Sequence, residues 1–171
     1  EYIVINKTRT SKSFENKINP ENNDNSVSLN SVEIFSDNKE IEGKFNVTER
    51  IGIKITFEIH RSENQLTPGI QLFTDDDSHV FNSIDDSSIW LENCKLGKYE
   101  RIVWLDSNIL NEGAYYVTVF FISPAPDTTI RHLVERNVVS FDSYFPNHNK
   151  KWSFTSCHSC SNIITCFDVH S

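Results

Sequence analysis

From Ile51 to Ile59 the chain alternates without a fault. Ile51, Ile53, Ile55, Phe57 and Ile59 are apolar, and Gly52, Lys54, Thr56 and Glu58 fall between them, with His60 next in the same phase. Side chains of an extended strand point alternately to its two faces, so a strict period of two commits one face to a core and leaves the other outside. A helix cannot use this pattern, because its apolar stripe returns every 3.6 residues or so. One buried face and one solvated face is the mark of an antiparallel sheet.

Shorter segments repeat the theme. Val32 and Ile34 begin a first strand at Ser31, and Pro68 to Thr74 forms another, closed by the turn composition Asp75-Asp76-Asp77-Ser78 and a return strand from His79 to Ser83. Lys98 to Leu105 and Ala114 to Ile122 follow, the second introduced by Asn111-Glu112-Gly113. The prolines of Ser123-Pro124-Ala125-Pro126-Asp127 are expected to break that strand, and Val138 to Ser143 reads as the next. Helical period is nowhere sustained; Asp86 to Leu91 offers a single turn at most. Short strands at regular turn signals predict an all-β fold, an antiparallel β-sandwich of jelly-roll or immunoglobulin-like type.

The 171 residues suit one domain with some flank. Residues 1–30 are rich in Asn, Ser and Lys and read as a linker or flexible N-terminal arm, with Tyr2 to Ile5 as a short strand candidate. Residues 31–171 form the predicted sandwich domain; its tail, 145–171, carries Trp152, Phe154, Ile163, Ile164 and Phe167 for one or two further strands. The chain starts at Glu1 and has no methionine, which suggests an excised fragment or a mature form after signal cleavage.

A net charge of −8 disfavours nucleic acid and anionic membranes as partners and is compatible with an uncharged one such as a polysaccharide. Cys94 stands alone while Cys157, Cys160 and Cys166 crowd the C-terminus. That spacing is unlike a secreted disulfide framework and is read as free thiols in a reducing cytosol.

Three pieces, in their order, carry a resemblance. The first is Ser31-Val32-Glu33-Ile34, a polar spacer and the Ile51 to Ile59 strand; the second runs from Gly69 through the acidic turn to Val80-Phe81. The third is Leu110-Asn111-Glu112-Gly113-Ala114-Tyr115-Tyr116-Val117-Thr118-Val119, followed by His132-Leu133-Val134-Glu135-Arg136 and Asn137-Val138-Val139-Ser140-Phe141. Together they resemble the C-terminal domain of Wzt-type proteins, the ATP-binding subunits of ABC transporters that export O-antigen polysaccharide. The resemblance covers Ser31 to Tyr144. It implies a jelly-roll-like sandwich that reads the exported glycan in the cytoplasm, often at its modified non-reducing end, and that can pair as a homodimer by exchanging a terminal strand. It also implies a missing ATPase domain and a membrane subunit as partners. The chain has no Gly-x-x-x-x-Gly-Lys-[Ser/Thr] phosphate loop, so ATP hydrolysis by that route is not expected.

Sugar sites combine aromatic faces with polar groups for the hydroxyls, and exposed aromatics mark contact surfaces. On the period-two assignment Lys54, Thr56, Glu58 and His60 face outward from their strand, as do Tyr116, Thr118, Phe120 and Ile122 from theirs. If Gln71 and Phe73 share that face, the carbohydrate-binding candidates are Lys54, Thr56, Glu58, His60, Gln71, Phe73, Tyr116, Thr118 and Phe120. The contrary reading is a second small core in which a loop or the tail covers the aromatics. Trp104, in phase with Ile102, is expected to pack in the core; Trp90 sits in a short loop that could line a groove edge, with burial the favoured fate for each tryptophan.

Other chemistry fits less well. Cys157-His158-Ser159-Cys160 with Cys166 lacks a well-spaced second half-site for zinc. Asp75-Asp76-Asp77 and Asp85-Asp86 read as solvated turns rather than calcium loops. Glu58 and His60 have no partner nucleophile or carboxylate, so no catalytic residues, metal or cofactor are assigned. The alternative function is a protein-interaction or adhesin-like sandwich without a sugar site.

Overall fold

The computed structural model describes residues 9–14, 25–36, 43–61, 65–85, 87 and 95–146. The Tyr2 to Ile5 strand, the Asp86 to Leu91 turn apart from Ser87, Trp90, Trp152, all four cysteines and the tail after Pro146 lie outside the described residues.

Among the described residues nine strands build two facing sheets. Sheet A runs β1 (Ser11–Ser13), β2 (Val27–Ser36), β4 (Ile51–Ile59), β7 (Gly97–Leu105), all antiparallel. Sheet B runs β3 (Lys44–Asn46), β9 (Thr128–Tyr144), β8 (Gly113–Ala125), β5 (Thr67–Thr74), β6 (His79–Ile84); only β3 pairs in parallel. The all-β sandwich expectation holds.

The alternation of β4 is the core's spine. Ile51, Ile53, Ile55, Phe57 and Ile59 are all buried, facing Val117, Val119 and Phe121 of β8 and Ile70 and Leu72 of β5 within one cluster. Phe57 stacks on Tyr99 at 5.6 Å and meets Phe121 edge-on at 4.8 Å, so an aromatic line runs from β7 through β4 into sheet B. A second line, Phe45–Phe141–Tyr115, fills the β3 side at 5.6 and 5.5 Å. Tyr115 donates its buried hydroxyl to Asn111 O at 3.0 Å, four residues upstream, tying the loop before β8 to the core. Burial raises its pKa above the ordinary tyrosine value.

Three sequence expectations are corrected. Ser123-Pro124-Ala125 does not break β8; these residues pair with Ile130, Thr129 and Thr128 of β9, and Pro126-Asp127 makes the hairpin turn. The β5 ladder ends at Ile122, so Pro124 sits where β8 has one neighbour and its missing N–H leaves no ladder bond unmade on the other side. Trp104 and Ile102 do not enter the core: on β7 it is Arg101, Val103 and Leu105 that are buried. The first thirty residues are not all arm, since β2 begins at Val27 and Ser11–Ser13 pair with Glu33, Val32 and Ser31.

Two polar contacts are buried, one between the margins of the two sheets and one within sheet B. Arg101 of β7, 4% exposed, reaches Asp85 at the end of β6, 1% exposed, with Nε to Oδ2 at 3.3 Å. His132 Nε2 lies 2.7 Å from Ser123 Oγ, which donates to Gln65 O at 2.6 Å.

Each sheet also carries a glycine covered by a ring from the next strand. A Cβ on Gly52 would sit 2.5 Å from Phe35 Cζ, and one on Gly69 would sit 2.4 Å from Phe120 Cζ and 2.8 Å from the backbone oxygen of Ser83. The absent side chains let the rings lie flat on the strands and shield backbone that glycine would expose.

Asp85→Ala removes the carboxylate beside the buried Arg101 and is expected to cost about 3–5 kcal/mol, read as a lower urea midpoint; adding Arg101→Met should recover most of the loss, because the penalty belongs to a buried charge whose ion pair with Asp85 is broken. No recovery in the double variant would show that the pair itself holds the sheets together. Gly69→Ala is expected to cost about 1–3 kcal/mol because a backbone carbonyl must move. Gly52→Ala should cost less, since only the tip of Phe35 stands in the way, and equal losses would contradict that account.

Candidate functional site

The nine sequence candidates do not form one patch. Lys54, Thr56 and Glu58 point outward from sheet A with His60 just past its end, whereas Gln71, Phe73, Tyr116, Thr118 and Phe120 point outward from sheet B. The sandwich core separates the groups. Period two distinguishes inside from outside on each strand, but it says nothing of which sheet a strand joins, and β4 joins the other one. The expected hydrogen-bonding role of Lys54, Glu58 and His60 beside Tyr116 and Phe120 is therefore corrected.

The outer face of sheet A is rich in charged side chains, two pairs of which are in contact. Lys54 Nζ lies 2.7 Å from Glu33 Oε2, and that bond raises the lysine pKa against the opposing effect of partial burial. Arg50 lies 4.6 Å over the Trp104 ring and 3.6 Å from Asp106 Oδ1. Trp104 meets Phe35 edge-on at 5.1 Å, so the register row Phe35–Gly52–Trp104 is an aromatic cluster at one end of this face. His60 Nε2 is 2.9 Å from Ser28 Oγ.

The outer face of sheet B is different in kind, and its strand register sorts it into rows. One row is apolar: Ile84, Gly69, Phe120 and Val134. The next is Asn82, Gln71 and Thr118, neutral hydrogen-bonding groups side by side. The third is His79, Phe73, Tyr116 and Ser140. No Lys, Arg, Asp or Glu stands in these rows.

Accessibility divides the candidates further. Thr118 is 3% exposed and accepts the Asn137 N–H at 3.3 Å, where β9 bulges with Asn137 at φ 49°. Phe120, 8% exposed, lies on Gly69. These two form the floor. Gln71, Phe73 and Tyr116 are half-buried and His79 and Asn82 are exposed, so a ligand would meet these first. Phe73 meets the His79 ring at 5.4 Å, and His79 Nε2 lies 2.7 Å from Asn82 Oδ1, which fixes the imidazole beside the aromatic row. Sequence reading missed His79 and Asn82 as site residues, although the hairpin it predicted places β6 directly beside Gln71 and Phe73.

The acidic turn behaves as a turn. Asp76 accepts from Thr74 Oγ1 and from Ser78 N at 3.2 Å, and the Thr74 bond in particular lowers its pKa. Among the described residues no three His, Cys, Asp or Glu side chains gather as a metal site, and no helix is long and apolar enough to cross a membrane.

Comparison with known proteins matches this architecture. The crystal structure of the C-terminal domain of Wzt superposes with a TM-score of 0.53 at 15% identity, covering 77% of this chain and 84% of that one. No curated protein matches the sequence. The sequence itself matches the Wzt C-terminal domain over residues 20–157. That match takes in β2 to β9 and both outer faces, and on it the chain belongs to the Wzt C-terminal domain family, which ties it to the ABC transport of O antigen.

Proposed function

We propose that this domain recognises O-antigen polysaccharide, at a modified non-reducing end, through the outer face of sheet B. It would act without catalysis, as the substrate-specificity domain of an exporter's ATP-binding subunit on the cytoplasmic side. The observation that carries the reading is the pairing of two rows: Phe73 and Tyr116 as adjacent aromatics, with Gln71 of β5 and Asn82 of β6 as neutral amides in the neighbouring row. A pyranose ring has apolar faces of C–H groups and a rim of hydroxyls. Aromatic rings take the faces, and amides, which both donate and accept, take the rim. Thr118 and Phe120 support the floor, while His79 adds a polar edge.

Charge separates the two outer faces. An uncharged glycan gains little from the Glu33–Lys54 and Arg50–Asp106 pairs of sheet A, which already satisfy one another. The binding reading therefore leaves Lys54, Thr56, Glu58 and His60 outside the site.

Calorimetry with O-polysaccharide from the source strain, against unrelated polysaccharides, tests this. Phe73→Ala and Tyr116→Ala are each expected to weaken selective binding by about tenfold or more, equivalent to about 1.4 kcal/mol. Lys54→Ala and Glu58→Ala should leave it within about twofold on the same scale. Selective binding lost with the sheet A variants instead would move the site to the opposite face. Absence of binding to any glycan would favour the protein-interaction reading.

A further inference from the structure

Phe73, Tyr116 and Ser140 follow one another across sheet B, and the next position beyond Ser140 is taken by the N-terminal arm. Ser140 donates its backbone N–H to Arg9 O at 2.8 Å, and Ser140 Oγ accepts the Arg9 N–H at 3.1 Å. The aromatic row thus ends on Arg9, an exposed residue whose Nε donates to Ser11 O at 3.3 Å.

Immediately after Arg9 the arm crosses to the other sheet. Ile34 N donates to Thr10 O at 2.8 Å, Ser11–Ser13 pair with β2, and Phe14 N donates to Asn30 O at 2.8 Å. The Phe14 ring packs on the core cluster, with Lys12 Nζ 4.4 Å over it. Six residues therefore strap sheet A to the margin of the recognition face. A three-residue edge strand with one aromatic anchor belongs to the low-stability end of a fold, where local opening is cheap.

We infer that the arm Arg9–Phe14 completes the glycan-recognition face, and that its seating and the occupancy of that face are coupled. The inference rests on the sheet B reading above. An exposed arginine at the end of an aromatic row suits vicinal hydroxyls or a sugar carboxylate, since the two terminal nitrogens left by the Nε–Ser11 bond can engage two oxygens at once. A ligand spanning Tyr116 and Arg9 holds the arm down. By linkage a seated arm then raises affinity by the same factor by which the ligand favours seating.

The test uses the whole chain and O-polysaccharide of the source strain. The Ser140 amide reports seating directly, because its hydrogen bond goes to Arg9 O. Its exchange, followed by NMR, is expected to slow at least about fivefold at saturating polysaccharide, and Phe14→Ala should bind about five- to twentyfold more weakly, within the usual range of such couplings. Phe14 is only partly buried, so its variant is expected to fold; Ser140→Ala, which removes one hydroxyl, and Arg9→Ala provide the same readout without touching the core. Unchanged Ser140 exchange together with affinities within about twofold of wild type in all three variants would overturn the coupling. If Phe73→Ala weakens binding while the arm variants do not, only this inference falls. If the unaltered chain binds no polysaccharide, the glycan reading falls and the inference goes with it.

Discussion

Phe57 lies flat against Tyr99 and edge-on against Phe121, and through this ring the two sheets meet. Its position follows from the unbroken alternation of β4, which delivers five large apolar side chains to one side of a central strand. Once those side chains are committed inward, β2 and β7 must present their own apolar phase to the same side, because antiparallel partners share a pleat. Sheet B closes the core with Ile70, Leu72, Val117, Val119 and Phe121. Everything available for function is then what remains outside.

The two exteriors have diverged in chemistry. Sheet A's outer side holds carboxylates and cations in mutual contact, and its aromatic cluster is capped by Arg50. The central rows of sheet B's outer side are neutral, aromatic and amide-bearing, with a floor smoothed by Phe120 lying where Gly69 has no side chain. Rows of this second kind give up less hydration free energy to a neutral ligand than a row of ion pairs would, because they hold no ions of their own.

Where the fold was readable in the sequence, the signal was local. β4 to β8 follow from alternation and turn composition, and the inward and outward phases of β4, β5 and β8 come out as expected. What failed was non-local or interrupted. β9 was read only from Val138 because the bulge around Asn137 breaks its alternation, and β3, at three residues, has too little pattern to show. Pro124 looked like a breaker because local rules cannot know that β5 has already ended. For the site, the co-facial set Gln71, Phe73, Tyr116, Thr118 and Phe120 was legible, since all five sit in one phase of neighbouring strands. The error over Lys54, Thr56, Glu58 and His60 came from strand order, which is settled by pairings far apart along the chain. Arg9 and Ser140 gave no sequence signal, as their link spans 131 positions.

The Asp85–Arg101 contact has a bearing on solubility as well as on folding. Among the described strands, β6 and β7 are the outermost on their side of the sandwich, and outermost strands offer unpaired backbone to other molecules. Arg101 points inward from one of them, and Asp85 ends the other. A charge directed into the seam from an edge strand is a known defence against sheet-to-sheet growth. Here the ion pair also pins the two margins to each other, so neither can peel outward to template a neighbour's strand. An inward-facing ion pair at these two margins therefore works against strand addition there.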